Sequence, residues 1–108
     1  MPAARRGEVW VIDFGIAGKV RPALLLTDSP ADDELDLVTA LLHTTSRRNN
    51  RWELSIPKPF LKDGVFHLQQ IQSVPTIRLE RRLGSLTADE LKHVDDALRQ
   101  RLRVHIPE

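Results

Sequence analysis

The chain has 108 residues, no cysteine, 41% hydrophobic and 29% charged side chains, and a formal net charge of +1 at pH 7. That length supports one hydrophobic core without covalent staples, so a single domain over residues 1–108 is expected. Disulfides, a thiolate nucleophile and cysteine metal sites are excluded, and no apolar run approaches the roughly 20 residues of a spanning helix.

The N-terminal segment Met1-Pro2-Ala3-Ala4-Arg5-Arg6 is basic but lacks the apolar stretch of a signal peptide, so a cytoplasmic location with no membrane partner is expected. Glu8–Phe14 is β-branched and aromatic and predicts a strand. Gly15-Ile16-Ala17-Gly18 then forms a loop or turn. The stretch Lys19–Asp28 follows, and its run Ala23-Leu24-Leu25-Leu26 reads as a strand buried on both faces. Pro22 carries no backbone donor and is expected at the strand's first residue. Arg21 is thereby held at the mouth of a core strand, where a positioned cation is useful for catalysis. The alternative is that Arg21 simply ends a strand in solvent.

Asp28, Asp32, Asp33, Glu34 and Asp36 crowd a segment that reads as a solvated loop. From Leu37 to Arg82 the balance reverses, with eight basic against three acidic side chains, +5 in all. Such asymmetry can build a basic face for phosphates, or can be scattered over solvated surface. Leu37–Leu42 predicts a central strand, followed by His43-Thr44-Thr45-Ser46 and the basic loop Arg47–Arg51. Trp52–Ile56 alternates like a half-exposed strand and is stopped by Pro57 and Pro59. Asp63-Gly64 carries a hairpin signal. Val65–Ile71 is a further strand, and a turn after Pro75 leads to a last strand over Arg82–Leu86.

One long helix closes the chain. Thr87 and Glu90 fit a capping box, and Leu91, Val94, Leu98 and Leu102, with Ala97, recur along one face. Asp89 and Glu90 sit at its positive end, and Arg99, Arg101 and Arg103 at its negative end. Strands followed by one helix predict a small, mostly antiparallel α+β domain or a partly open barrel.

The chemistry narrows by motif. His43, His67, His93 and His105 show no metal-ligand spacing, no phosphate-binding glycine motif is present, and no G-x-S-x-G elbow occurs. What remains is Arg21 at one strand's start and the hydroxyls of Thr44, Thr45 and Ser46 after a neighbouring strand. That set suits a substrate that brings its own nucleophile, as RNA does with its 2′-hydroxyl. The protein then needs to align the attack and stabilise charge on the phosphorane-like transition state. An Arg fork matches two phosphate oxygens, and hydroxyls add donors.

Gly7-Glu8-Val9-Trp10, Arg21-Pro22-Ala23-Leu24, Thr44-Thr45-Ser46, Leu68–Val74 and Arg82-Leu83-Gly84-Ser85-Leu86, in that order and spacing, resemble the MazF/PemK family of toxin endoribonucleases from bacterial toxin–antitoxin pairs. The resemblance runs from about Arg6 to Val104. It implies an SH3-like small barrel of antiparallel strands with a C-terminal α-helix, acting as a homodimer. It also implies metal-independent cleavage of single-stranded RNA at short sequences by 2′-hydroxyl attack, with no cofactor, and neutralisation by a cognate antitoxin protein.

By the same resemblance Arg21 and Thr44 carry catalysis and Gln70 lies near bound RNA. Lys19, Thr45, Ser46 and Arg47 are the accompanying RNA-binding candidates. The loop Gly15–Val20 is several residues shorter than in relatives and lacks their acidic or amide residue, so cut-site preference does not transfer. His43 stands where relatives often have a small or apolar residue. Alternation along a strand allows only one of His43 and Thr44 to share Arg21's face unless the strand bulges there; the resemblance implies Thr44, and the competing reading makes His43 a general base in proton transfer. The alternatives on the same fold are a gyrase-inhibiting toxin and a catalytically silent interaction module. Val104-His105-Ile106-Pro107-Glu108 differs from the aromatic, small-residue tail through which the former acts.

Overall fold

The computed structural model describes residues 3–15 and 19–105. Six strands form one antiparallel sheet: β1 (Glu8–Asp13), β2 (Val20–Leu25), β3 (Leu37–Thr44), β4 (Glu53–Leu54), β5 (Val65–Pro75) and β6 (Leu79–Ser85). Their spatial order is β4-β5-β3-β2-β1-β6, and helix α1 (Ala88–Leu102) follows. Three strands therefore separate β5 from β6 across the sheet. In a flat sheet that is about 19 Å at the usual strand spacing. The chain joins them by a single 3₁₀ turn, Thr76–Arg78, which rises only about 2 Å per residue. The sheet must curl, and the result is the small barrel expected from the sequence, open between β4 and β6.

Alternation sends apolar side chains to both faces. Trp10, Ile12, Ala23, Leu25, Val38, Ala40, Val74 and Leu79 pack on one face, drawing on strands from both halves of the sheet. Val9, Leu24, Leu41, Phe66, Leu68 and Leu86 pack on the other, beneath Val94 of the helix. The run Ala23-Leu24-Leu25 is fully buried on both sides, as its unbroken apolar character requires.

Several boundaries differ from the sequence reading for identifiable reasons. Pro22 is the third residue of β2, not its first. Leu26 donates to Thr39, so alternation points the missing Pro22 donor toward β3, whose pairing with β2 begins only at Ala23. Pro22 therefore breaks no ladder bond. β3 extends through His43 and Thr44 by pairing with Phe66 and Val65. β4 shrinks to two residues at the sheet edge. β5 continues to Pro75 because Leu37–Leu41 pairs with Ile71–Pro75, and β6 begins at Leu79.

Asp63-Gly64 does not form a tight hairpin, since a long segment from 55 to 64 joins β4 to β5. Gly64 is needed for another reason: a Cβ there would lie 2.3 Å from the Thr44 carbonyl oxygen. The helix starts as read, with Thr87 and Glu90 closing a reciprocal capping box. Glu90 also pairs with Lys58 at 2.9 Å, tying the 55–64 segment to the helix start. Leu91, Ala97 and Leu98 join the core, whereas Leu102 is exposed in the helix's last position. No helix among the described residues is long and apolar enough to cross a membrane.

Candidate functional site

Pairing registers place the polar residues. Arg21 is opposite Ile12, and Leu42 is opposite Ala23. Arg21, Leu42 and Thr44 therefore share one face by alternation. On β5 the register jumps from Leu41↔Ile71 to His43↔Phe66, so the single residue Leu42 faces the four residues 67–70. This wide bulge re-aims the β5 side chains beside the end of β3.

The outcome is a polar hollow of about 240 Å³ lined by Arg21, Leu42, Thr44, Ser46, Arg48, His67 and Gln70. A second hollow of about 280 Å³ adjoins it, with Arg21, Leu42 and Gln70 in common and Phe14, Lys19 and Gln72 completing its wall. Among the described residues, no carboxylate lies within ion-pair distance of the Arg21, Lys19 or Arg48 side chains. Three cations without a carboxylate partner among the described residues thus line a concave, donor-rich surface, which favours an anionic ligand.

Local hydrogen bonds orient the donors. Thr44 is buried, and its Oγ1 accepts the backbone N–H of Ser46 at 3.1 Å, leaving its hydroxyl proton free to donate. The basic loop is held by Glu53, whose carboxylate accepts the backbone N–H groups of Arg48 and Asn49. Those bonds, led by the one from Arg48, lower the Glu53 carboxyl below its ordinary range. Asn49 adopts the left-handed conformation (φ 60°) that this wrapping requires.

His43 faces the other way. Its ring meets Phe66 edge-on with centroids 4.9 Å apart. Burial, and then the nearby Arg47 cation, push its imidazole below the ordinary value against the opposing pull of Asp63. His43 lines a larger hollow of about 320 Å³ on the opposite side, with Thr45, Phe60, Leu61, Lys62 and Arg81, and Arg21 at its rim. That hollow is larger and mixed in lining, with the apolar Val11, Val20, Pro22, Phe60, Leu61 and Leu83 beside the donors of Arg21, Thr45, Lys62 and Arg81, whereas the smaller polar hollow brings Arg21 together with Thr44, Ser46, Arg48, His67 and Gln70.

Of the residues expected from the sequence, Arg21, Thr44, Ser46, Lys19 and Gln70 converge on the two adjoining hollows. Thr45 does not, and opens to the opposite side. Arg47 is drawn away as well, donating to Asp63 at 2.8 Å and to the Gly64 carbonyl. Arg48, His67, Phe14 and Gln72 are the lining residues that sequence reasoning missed. The basic run Arg47-Arg48 carried a signal but did not say which arginine turns inward, and Gln72 could have been found by alternation from Gln70. Residues 16–18 of the shortened loop lie outside the described residues. Among the described residues no three His, Asp or Glu side chains gather as a metal site.

An endoribonuclease from a mycobacterial species, solved with its cognate antitoxin, superposes with a TM-score of 0.78 at 22% identity, covering 99% of this chain and all of that one. The MazE–MazF complex from Deinococcus radiodurans matches with a TM-score of 0.80 at 22% identity, over 97% of this chain and 100% of that chain. The Mycobacterium tuberculosis toxin MazF-mt6 matches with a TM-score of 0.76 at 22% identity, over 92% of this chain and 99% of that chain. At such identity these likenesses establish the fold. Residues 5–102 match the model of the PemK-like, MazF-like toxins of type II toxin–antitoxin systems, and the chain belongs to that family.

Proposed function

We propose that this toxin is an endoribonuclease that cuts single-stranded RNA without a metal ion, at short preferred sequences, and that a cognate antitoxin restrains it in the cytoplasm. The single observation that carries this reading is the convergence of Arg21, Thr44, Ser46 and Arg48 on one polar hollow where, among the described residues, no carboxylate compensates Arg21. A phosphodiester fits there as an anion. Its own 2′-oxygen attacks phosphorus, the P–O5′ bond breaks, the 2′-hydroxyl proton departs and the 5′-oxygen gains one. The products are a 2′,3′-cyclic phosphate and a 5′-hydroxyl end.

Negative charge grows on the non-bridging oxygens during this attack. Arg21 meets it with a planar fork on the rigid start of β2, and Thr44 adds a neutral donor from the end of β3. The adjoining hollow, with Phe14, Gln70 and Gln72, offers an aromatic face and amides for a neighbouring base. We assign the toxin a homodimeric state, with the antitoxin contributing an acidic segment that competes with RNA for the Arg21 side.

The test is cleavage of unstructured and structured RNA in EDTA, with both fragment ends mapped. Cyclic phosphate and 5′-hydroxyl ends on unstructured RNA are expected. Intact RNA throughout would overturn the activity and leave a binding-only toxin.

A further inference from the structure

We propose that His67 is a further catalytic residue of this site: its Nε2–H donates to a non-bridging oxygen of the scissile phosphate beside Arg21 and Thr44. This rests on the endoribonuclease reading and deepens it. His67 is buried, yet it lines the polar hollow together with Arg21, Thr44, Ser46 and Arg48. Its Nδ1 accepts the backbone N–H of Gln69 at 3.2 Å. A ring nitrogen that accepts carries no proton, so the neutral ring keeps its hydrogen on Nε2.

Among the described residues Nε2 has no protein partner, and no buried side-chain nitrogen or oxygen is left unpaired. Nε2 therefore reaches the space its ring lines. Glu53 is the acidic cross-strand partner of His67 in the β4–β5 register. Among the described residues no hydrogen bond or ion pair joins His67 to Glu53, whose carboxylate instead accepts the Arg48 and Asn49 backbone N–H groups.

Thr44 and His67 are built on one plan. Each has its acceptor position filled by the backbone N–H two residues ahead, and each is left with one proton to give. Both belong to the paired ends of β3 and β5, where Thr44 is opposite Val65, two residues before His67. Two neutral donors fixed by backbone before substrate arrives complement the charged fork of Arg21, and need no reorganisation as charge develops. A proton-transfer role would require Nε2 to be unprotonated, which the Gln69 bond opposes.

The experiment compares His67→Phe, which keeps a ring, with His67→Gln, whose amide can donate from the place of Nε2. Substrates carry either ordinary phosphate or one phosphorothioate diastereomer at the cut. With folding verified by circular dichroism, His67→Phe should lose on the order of 10²-fold in kcat/KM, and His67→Gln should recover part of it. In the wild type one diastereomer should be cut more slowly than the other, because sulfur accepts hydrogen bonds poorly, and that difference should shrink in His67→Phe. Wild-type rates for His67→Phe, or a diastereomer difference unchanged by it, would overturn the proposal.

Should the Phe variant fail to fold, ¹⁵N spectra of the wild-type ring bound to RNA with a 2′-deoxy cut site decide. The Nε2–H resonance should be present and should shift on binding, and an unmoved or Nδ1-protonated ring overturns the assignment. This arm reads His67 even if the wild type cuts no RNA, a result that would instead count against the activity.

Discussion

His43 and Thr44 are consecutive on β3 and face opposite sides of the sheet. His43 stacks edge-on with Phe66, while Thr44 opens into the hollow that Arg21 lines. Strand alternation makes this a choice, because a catalytic Thr44 leaves His43 a structural role. Thr44→Val is expected to lose most RNA cleavage, on the order of 10²-fold for a removed transition-state donor. His43→Gln should keep most of it. If His43→Gln were inactive and Thr44→Val active, the roles would be reversed.

His43 also makes a pH prediction. Its folded-state pKa is lowered, chiefly by burial. The unfolded chain then binds the proton more readily, so this group's stabilisation is full above about pH 6.5 and declines as the pH falls below that value toward the folded pKa. Thermal unfolding from pH 7.5 to 5 should show a falling Tm in the wild type and a flatter one in His43→Gln. Equal slopes in both proteins would count against a buried neutral imidazole.

Arg21 carries the main electrostatic burden. Arg21→Ala should fold, since the side chain is only partly buried, and lose on the order of 10²–10³-fold in cleavage rate. Arg21→Lys should rescue poorly, because an ammonium offers a point charge where the guanidinium offers a fork. A folded Arg21→Ala protein that cuts at the wild-type rate would remove the basis for the site.

Much of this candidate site is legible in the sequence. Arg21-Pro22 followed by an apolar run fixes a cation on a core strand, and the hydroxyls of Thr44 and Ser46 fall beside it because β2 and β3 are neighbours. His67 is not legible, since the bulge opposite Leu42 breaks the two-residue period that assigns faces along β5, whereas Gln72 lies past the bulge and follows from Gln70 by alternation. Arg47 and Arg48 are equivalent as sequence. What separates them is tertiary: Asp63 and the Gly64 carbonyl capture Arg47, and Glu53 holds the Arg48 backbone while its side chain turns to the hollow.

The helix cap gives a stability prediction independent of activity. Thr87 accepts the Glu90 N–H at 3.2 Å, and Glu90 accepts the Thr87 N–H at 2.8 Å. Thr87→Ala should cost about 1 kcal/mol, or about 4–8 °C in Tm for a domain near 100 residues. RNA cleavage at low temperature should be unchanged, because the cap touches neither hollow.

Gly64 and Gly84 separate a backbone constraint from a side-chain one. A Cβ at Gly64 would meet the Thr44 carbonyl oxygen at 2.3 Å and His43 Cε1 at 2.9 Å. The carbonyl belongs to the β3–β5 ladder and cannot swing aside, so Gly64→Ala must push the end of β3 away from β5. Such overpacking typically costs about 1–3 kcal/mol. Here it should also move Thr44 out of register with Arg21, so cleavage should fall by more than the loss of folded protein explains. At Gly84 the added Cβ would meet the Phe60 ring first, at 2.4 Å. That ring lines the hollow on the far side and can rotate away. Gly84→Ala should therefore lower Tm while leaving the rate per folded molecule near wild type. Measuring both variants below their unfolding temperatures decides the matter. If Gly64→Ala cut RNA as fast per folded molecule as Gly84→Ala, the placement of Thr44 would not depend on the close approach of β5.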